Sequence, residues 1–219
     1  MSLPFQLHMR LVRSPVAHGR ILKIDATEAL GIPGVVAVWT SRDVSDVPPV
    51  DFRDPSAEAL LPYRQPVLAY ERVRYVGEPV AAVFAADAYT AEDASEVILL
   101  EIDPLPVLMS ASEEPTEFDK GHHTEATVLR HGYGNVDQAF ADAHTVVELD
   151  LEIGRHSAVP METRGALGAY DPGLDMLRLY GAAKVPPSQP GHSGENAGAQ
   201  PKLTPFARAP GWRRVRGTW

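Results

Sequence analysis

The chain has 219 residues and no cysteine, so disulfides, zinc–thiolate centres and iron–sulfur clusters are excluded from it. A net charge of −9 argues against a nucleic-acid partner, which needs a basic face. No run approaches the roughly eighteen consecutive apolar residues of a membrane-spanning helix. The opening MSLPFQLHMR lacks a signal-peptide core and points to a cytoplasmic product. Gln6 to Val12 reads as a strand and Ile21 to Ile24 as a second. A helical turn is predicted at Thr27 to Leu30, closed by Gly31 where a C-terminal glycine is useful. Val35 to Thr40 is a third strand, and the Pro- and Asp-rich stretch Asp43 to Pro62 reads as a long surface loop.

Gln65 to Val107 is the densest stretch. Val67, Leu68, Val73, Tyr75 and Val76 form β-prone runs, and Gly77-Glu78-Pro79 turns the chain. Val80 to Phe84 is a continuous apolar run of strand length, suited to burial on both faces. Asp87 stands where an N-cap belongs, with Ala88, Ala91, Ala94 and Ile98 on one helical face and Glu92, Asp93 and Glu96 on the other. Leu99 to Ile102 returns as a strand, stopped by Asp103-Pro104-Leu105-Pro106. Ser110 to Gly121 reads as an acidic linker too polar to order itself. The adjacent His122 and His123 point to opposite sides of an extended chain and have no further ligand at useful spacing, so they read as solvated rather than metal-binding.

A second unit starts near Tyr133. Val136 to Phe140 looks like a short helix capped by Asn135 or Asp137. Val146 to Ile153 alternates aliphatic residues with Glu148, Asp150 and Glu152, the pattern of a half-buried strand. Gly165 to Tyr170 and Met176 to Tyr180 pair as a hairpin across Asp171-Pro172-Gly173. After Pro187 no period of 3.6 or 2 survives, and residues 188–219 carry a net charge of +4 against −13 for the rest.

Three blocks carry a resemblance: Val12-Arg13-Ser14-Pro15 with His18-Gly19-Arg20-Ile21, then Pro33-Gly34-Val35-Val36-Ala37-Val38, then Tyr75-Val76-Gly77-Glu78-Pro79-Val80 ahead of the helix and Asp103-Pro104-Leu105-Pro106 after it. In this order they resemble the α/β hammerhead domain of the molybdenum hydroxylase large subunits, the xanthine dehydrogenase, aldehyde oxidase and carbon monoxide dehydrogenase family. Pro160 to Gly165 and Val185-Pro186 resemble the start of that family's first molybdopterin-binding domain. The expected organisation is α+β: a hammerhead over 1–109, an acidic linker over 110–132, a partial molybdopterin-binding domain over 133–187 and a disordered tail over 188–219. Synonymous codons exist for the tail that, read one base later, give His-Arg-Asn-Arg-Asp-Thr-Leu-Ala-Arg-Met-Leu-Gly and then Gly-Gly-Gly-Phe-Gly. The latter is the family's cofactor loop, so the tail is read as frameshifted.

The resemblance implies an oxidoreductase that hydroxylates an aldehyde, a purine-like heterocycle or carbon monoxide, with molybdenum–molybdopterin carrying the redox chemistry. It implies iron–sulfur and FAD subunits or domains as partners, with no nucleic acid and no membrane. The glycine-rich loop and the later domains are absent in this frame, so the chain is expected to be an amino-terminal fragment, inactive alone and without cofactor. Four residues remain as candidate cofactor contacts. His156 is a donor where the family often has a glutamine, Arg155 suits an anionic group, and Glu162 and Arg164 face one side of an extended segment and can equally pair with each other. An uncovered edge on the strand Met176 to Tyr180 is expected to invite self-association. The competing reading is a non-catalytic hammerhead module acting in protein interaction or subunit assembly. No G-x-S-x-G, H-E-x-x-H or Walker pattern points to a hydrolase or nucleotide-binding protein.

Overall fold

A computed structural model of the chain describes residues 2–50, 58–110, 112–119, 121–128, 131–154, 159, 161 and 165–181. They fall into two compact units, one up to residue 130 and one from His131. The first unit opens with β1 (His8–Arg13), β2 (Gly19–Asp25), the single helical turn α1 (Thr27–Leu30) and β3 (Val35–Thr40). A 3₁₀ segment over Glu58–Tyr63 leads to β4 (Arg72–Val73), β5 (Pro79–Ala85), α2 (Ala88–Glu96) and β6 (Leu99–Pro104). One antiparallel sheet has the order β1-β5-β3 and a second the order β4-β2-β6.

β5 is the centre of this unit, and its sequence explains why. Val80, Ala81, Ala82, Val83 and Ala85 are all buried, as an apolar run without alternation requires. Val83 joins Ala29, Ala94 and Ile98 in a cluster beneath the helices. Val80, three residues earlier and so on the opposite face, packs with Ala69 and Val73 and against Ile21, Leu100 and Ile102 of the second sheet. The alanines of α2 let it lie close to the strand, since Ala91 and Ala94 are both fully buried. At the helix start Asp87 caps as its position predicts, accepting from the backbone N–H of Tyr89 at 3.0 Å and of Thr90 at 2.9 Å. The Thr90 hydroxyl and N–H, with Tyr89 N–H, hold the Asp87 carboxyl below the usual carboxylate range.

Several expectations need correction. The β-prone run around Val73 is a strand only over Arg72–Val73, and Tyr75 and Val76 are exposed, because the chain is already turning into Gly77. Gly31 does not adopt a left-handed conformation; the positive φ of this connection, +95°, belongs to Gly34, where an added Cβ would meet Thr90 of α2 at 3.4 Å. The loop read over Asp43 to Pro62 ends in the 3₁₀ segment and carries a bridge between Val50 and Gln65, while residues 51–57 lie outside the described residues.

The stretch expected to be a disordered acidic linker is also different. Within it β7 (Glu117–Asp119) pairs antiparallel with β8 (His122–His123) across Gly121, whose φ is +73°. The physical reason is Phe118. It is the one aromatic residue among acidic ones, and its ring packs on Tyr63 of the first unit at 5.7 Å between centroids.

The second unit contains α3 (Val136–Ala141) and a hairpin of β9 (Ala166–Asp171) and β10 (Met176–Gly181). Asn135, not Asp137, caps α3, accepting from Gln138 N–H at 3.1 Å. In the hairpin turn Asp171 accepts from the N–H groups of Gly173 and Leu174, and the positive φ falls on Asp175 rather than Gly173. Val146 to Ile153 is not a strand among the described residues. Leu149, Leu151 and Ile153 are 73 %, 80 % and 85 % exposed, since a period-two apolar face needs a paired strand and a covering layer to become a sheet. No helix among the described residues is long and apolar enough to cross a membrane.

Candidate functional site

The best-defined polar constellation in the first unit is one that sequence reasoning took for a plain turn. Glu78 is 0 % exposed, the largest fully buried side chain among the described residues. Its carboxylate accepts from the Arg74 guanidinium at 2.6 and 3.1 Å and from the Arg74 backbone N–H at 2.5 Å. Arg74 also donates to the Arg64 carbonyl at 3.1 Å, while the Glu78 carbonyl receives Ser14 N–H at 2.9 Å. Ser14 is itself buried, its hydroxyl donating to the Val16 carbonyl at 2.7 Å. The ion pair thus closes the β4–β5 turn over four residues and ties it to the β1–β2 connection. Both oxygens of this fully buried carboxylate are engaged by Arg74 of the same turn, so the pair reads as structural. The signal was the Gly-Glu-Pro sequence with an arginine four residues before Glu78, a spacing that only the turn geometry makes meaningful.

Beside it lies an aromatic cluster. Tyr63 stacks on Phe118 and meets the His122 ring edge-on at 5.8 Å, His18 lies 6.4 Å from Phe118, and the Arg72 guanidinium sits 5.8 Å over the Phe118 ring. His122, expected to be solvated, is therefore half-buried against Tyr63. Tyr63, Gln65, Arg74, Tyr75, Phe118 and Thr124 border an open cleft of about 320 Å³.

All four candidate cofactor contacts, Arg155, His156, Glu162 and Arg164, lie outside the described residues, as does the tail from residue 188. What surrounds them in sequence is exposed: Val159 and Met161 bury almost nothing, and the hairpin β9–β10 follows. In the second unit an open groove of about 820 Å³ lies beside α3, with apolar walls from Tyr133, Val136, Phe140, Val146 and Val147 and one imidazole, His131. No carboxylate or cation lines it. Among the described residues no three His, Cys, Asp or Glu side chains gather in a way that could hold a metal ion. The described glycines of positive φ, Gly34, Gly77, Gly121 and Gly134, are dispersed and build no continuous backbone cradle. These described residues do not by themselves fit a pterin-bound metal.

Two family profiles match the chain in succession. "Aldehyde oxidase and xanthine dehydrogenase, a/b hammerhead domain" takes residues 1–106, and "Molybdopterin cofactor-binding domain" takes residues 118–189. The chain belongs to the aldehyde oxidase and xanthine dehydrogenase family. It is 42 % identical over 192 residues to the 6-hydroxypseudooxynicotine dehydrogenase complex subunit gamma of Paenarthrobacter nicotinovorans, covering 84 % of this chain and 24 % of that protein. The nicotine 6-hydroxylase large subunit of the same organism is 38 % identical over 185 residues, covering 83 % of this chain and 23 % of its own length. Among solved structures, quinoline 2-oxidoreductase from Pseudomonas putida 86 superposes with a TM-score of 0.68 at 30 % identity, over 85 % of this chain and 24 % of that one. The chain spans about a quarter of the length of the curated relatives it matches. In this family's terms the first unit is the hammerhead and the second is the start of the cofactor-binding domain. The two borders do not coincide: the cofactor-domain profile begins at Phe118, within β7, whereas the residues up to 130 cluster in space with the hammerhead.

Proposed function

We propose that this chain is the amino-terminal part of a cytoplasmic molybdenum hydroxylase large subunit. The reaction is oxidative hydroxylation of a carbon centre, and the partners are iron–sulfur and FAD subunits. The observation that carries this reading is the succession of the two family profiles, hammerhead then cofactor-binding domain, over most of one chain. An N-heteroaromatic compound is the favoured substrate class, because the similar proteins named above are a nicotine 6-hydroxylase, a 6-hydroxypseudooxynicotine dehydrogenase subunit and a quinoline oxidoreductase. The molybdenum–pterin group supplies the redox chemistry when bound. In this reading the loop around Arg155 and His156 offers a cation for an anionic group and an imidazole donor, with Glu162 and Arg164 flanking it.

The chain alone is proposed to be inactive and to retain no cofactor, a reading supported by the described residues, which build no glycine-rich cradle and gather no carboxylate set. We further propose that the codons after Pro187 are read in a shifted frame. The cofactor-domain match stops at residue 189, where the hydrophobic period also ends. The test is elemental analysis of the purified 219-residue chain beside a version in which the shifted frame and its downstream sequence are restored. The first is expected to carry no molybdenum and the second to carry it near stoichiometrically. Stoichiometric metal on the 219-residue chain would overturn the proposal of inactivity, and an uninterrupted genomic stop after Trp219 with no downstream frame would overturn the frameshift.

A further inference from the structure

We infer that Phe118 is the pin of an interdomain clasp: it fastens the first residues of the cofactor-binding domain onto the hammerhead through Tyr63, His18 and Arg72. Four kinds of contact converge there. The Phe118 ring stacks on Tyr63 with an interplanar angle of 23° and lies against the tilted ring of His18. The Arg72 guanidinium sits over the ring at cation–π distance and reaches Asp119 at 3.7 Å. The Tyr63 hydroxyl donates to the His123 carbonyl at 2.7 Å, so one side chain of the hammerhead holds both strands of the hairpin. The hairpin also carries its own bonds: Thr124 N–H to the Thr116 carbonyl at 2.8 Å, Thr116 N–H to the Thr124 hydroxyl at 3.0 Å, and Gly121 N–H to Glu117 at 2.9 Å.

A two-stranded hairpin held by two residue pairs is too small to persist in water alone. Its order therefore depends on the ring it inserts. His18 connects the clasp back to the hammerhead exit, since its Nδ1 lies 2.8 Å from the Pro106 carbonyl and its own carbonyl receives Leu105 N–H at 2.9 Å. The consequence is a shortened tether. With the clasp closed, only the six residues 125–130 precede His131, a covalent reach of at most about 21 Å. From Pro106 onward the same stretch would be 24 residues, reaching at most about 85 Å. The clasp gives a function to the mismatch between the profile border and the spatial border, and it depends on neither the proposed reaction nor the cofactor.

Hydrogen exchange on the whole chain tests this. In the unmodified protein the amides of Gly121 and Thr124 are expected to exchange at least about tenfold slower than an unstructured peptide, an opening free energy of ~1.4 kcal/mol. Phe118→Ala is expected to remove that protection across 116–124 while leaving residues 80–98 unchanged. Tyr63→Phe, which deletes only the bond to His123, is expected to give a smaller loss over the same span. Unprotected amides at 116–124 in the parent chain, or unchanged protection in Phe118→Ala, would overturn the clasp. Loss that spreads to 80–98 in both variants would also overturn it, making Phe118 a core residue of the hammerhead instead.

Discussion

Replacing Glu78 by Ala removes a carboxylate with no exposed surface and leaves the Arg74 guanidinium, 21 % exposed, without its counter-ion. It also deprives the Arg74 backbone N–H of its acceptor. Breaking one side of a buried pair costs on the order of 3–5 kcal/mol, against a total stability of roughly 5–15 kcal/mol for a domain. With a urea m-value near 2 kcal/mol/M, the midpoint is expected to fall by about 2 M. The assay is urea unfolding followed by far-UV circular dichroism and by fluorescence, in which Trp39, packed on Phe84 at 4.7 Å, reports on the hammerhead. Glu78→Gln keeps the shape and one acceptor for the Arg74 N–H, so its loss is expected to be smaller, about 1–3 kcal/mol. The double change Arg74→Met with Glu78→Leu removes both charges and is expected to be more stable than Glu78→Ala alone. A Glu78→Ala midpoint within experimental error of the parent would refute the reasoning, because losing one member of a buried pair leaves the other charge without its partner.

Ala94→Asp puts an unpaired charge into the cluster of Ala29, Val83 and Ile98 and is expected to cost about 2–4 kcal/mol. Ser95→Asp, at a half-buried position whose hydroxyl bonds the Glu92 carbonyl, should cost far less, and equal midpoints would show that the helix orientation is wrong. Asp87 has a lowered folded-state pKa, so its contribution is present above the unfolded value near pH 4 and is lost as pH falls through the folded value. Acid unfolding of Asp87→Asn, which retains a cap but does not titrate, should be less steep below about pH 4, and an identical profile would remove Asp87 from the acid response. The edges of the β9–β10 hairpin are unpaired among the described residues, so the chain is expected to self-associate with rising concentration in sedimentation velocity. A concentration-independent monomer would contradict that.

The hammerhead was legible where a single physical cause dominates. A continuous apolar run fixed Val80 to Phe84 as a doubly covered strand, and the oxygen of Asp87 two and three residues before free N–H groups marked the helix start. The buried pair was not legible, because an arginine and a glutamate four apart read equally well as exposed turn residues. Only the closure of β4 onto β5 takes both out of water. Phe118 was overlooked for a related reason. Composition weighed the polar and acidic residues of 110–121, whereas order there is decided by one ring and the surface it meets.

The second unit shows the opposite limit of a sequence pattern. Val147, Leu149, Leu151 and Ile153 lie on one side of an extended segment and Glu148, Asp150 and Glu152 on the other, so the sequence states which face is to be buried. It cannot state what buries it. A helix satisfies its own backbone bonds and needs only an apolar surface beneath it, which is why α3 forms with its Asn135 cap although Val136 and Phe140 remain exposed. A strand must borrow both its hydrogen bonds and its cover from elsewhere in the chain. The hairpin β9–β10 supplies its own bonds and forms; the segment before it has neither and does not. The same asymmetry bears on the cofactor contacts proposed for Arg155, His156, Glu162 and Arg164. In sequence these residues lie between an unpaired strand pattern and a hairpin whose edges are unpaired among the described residues.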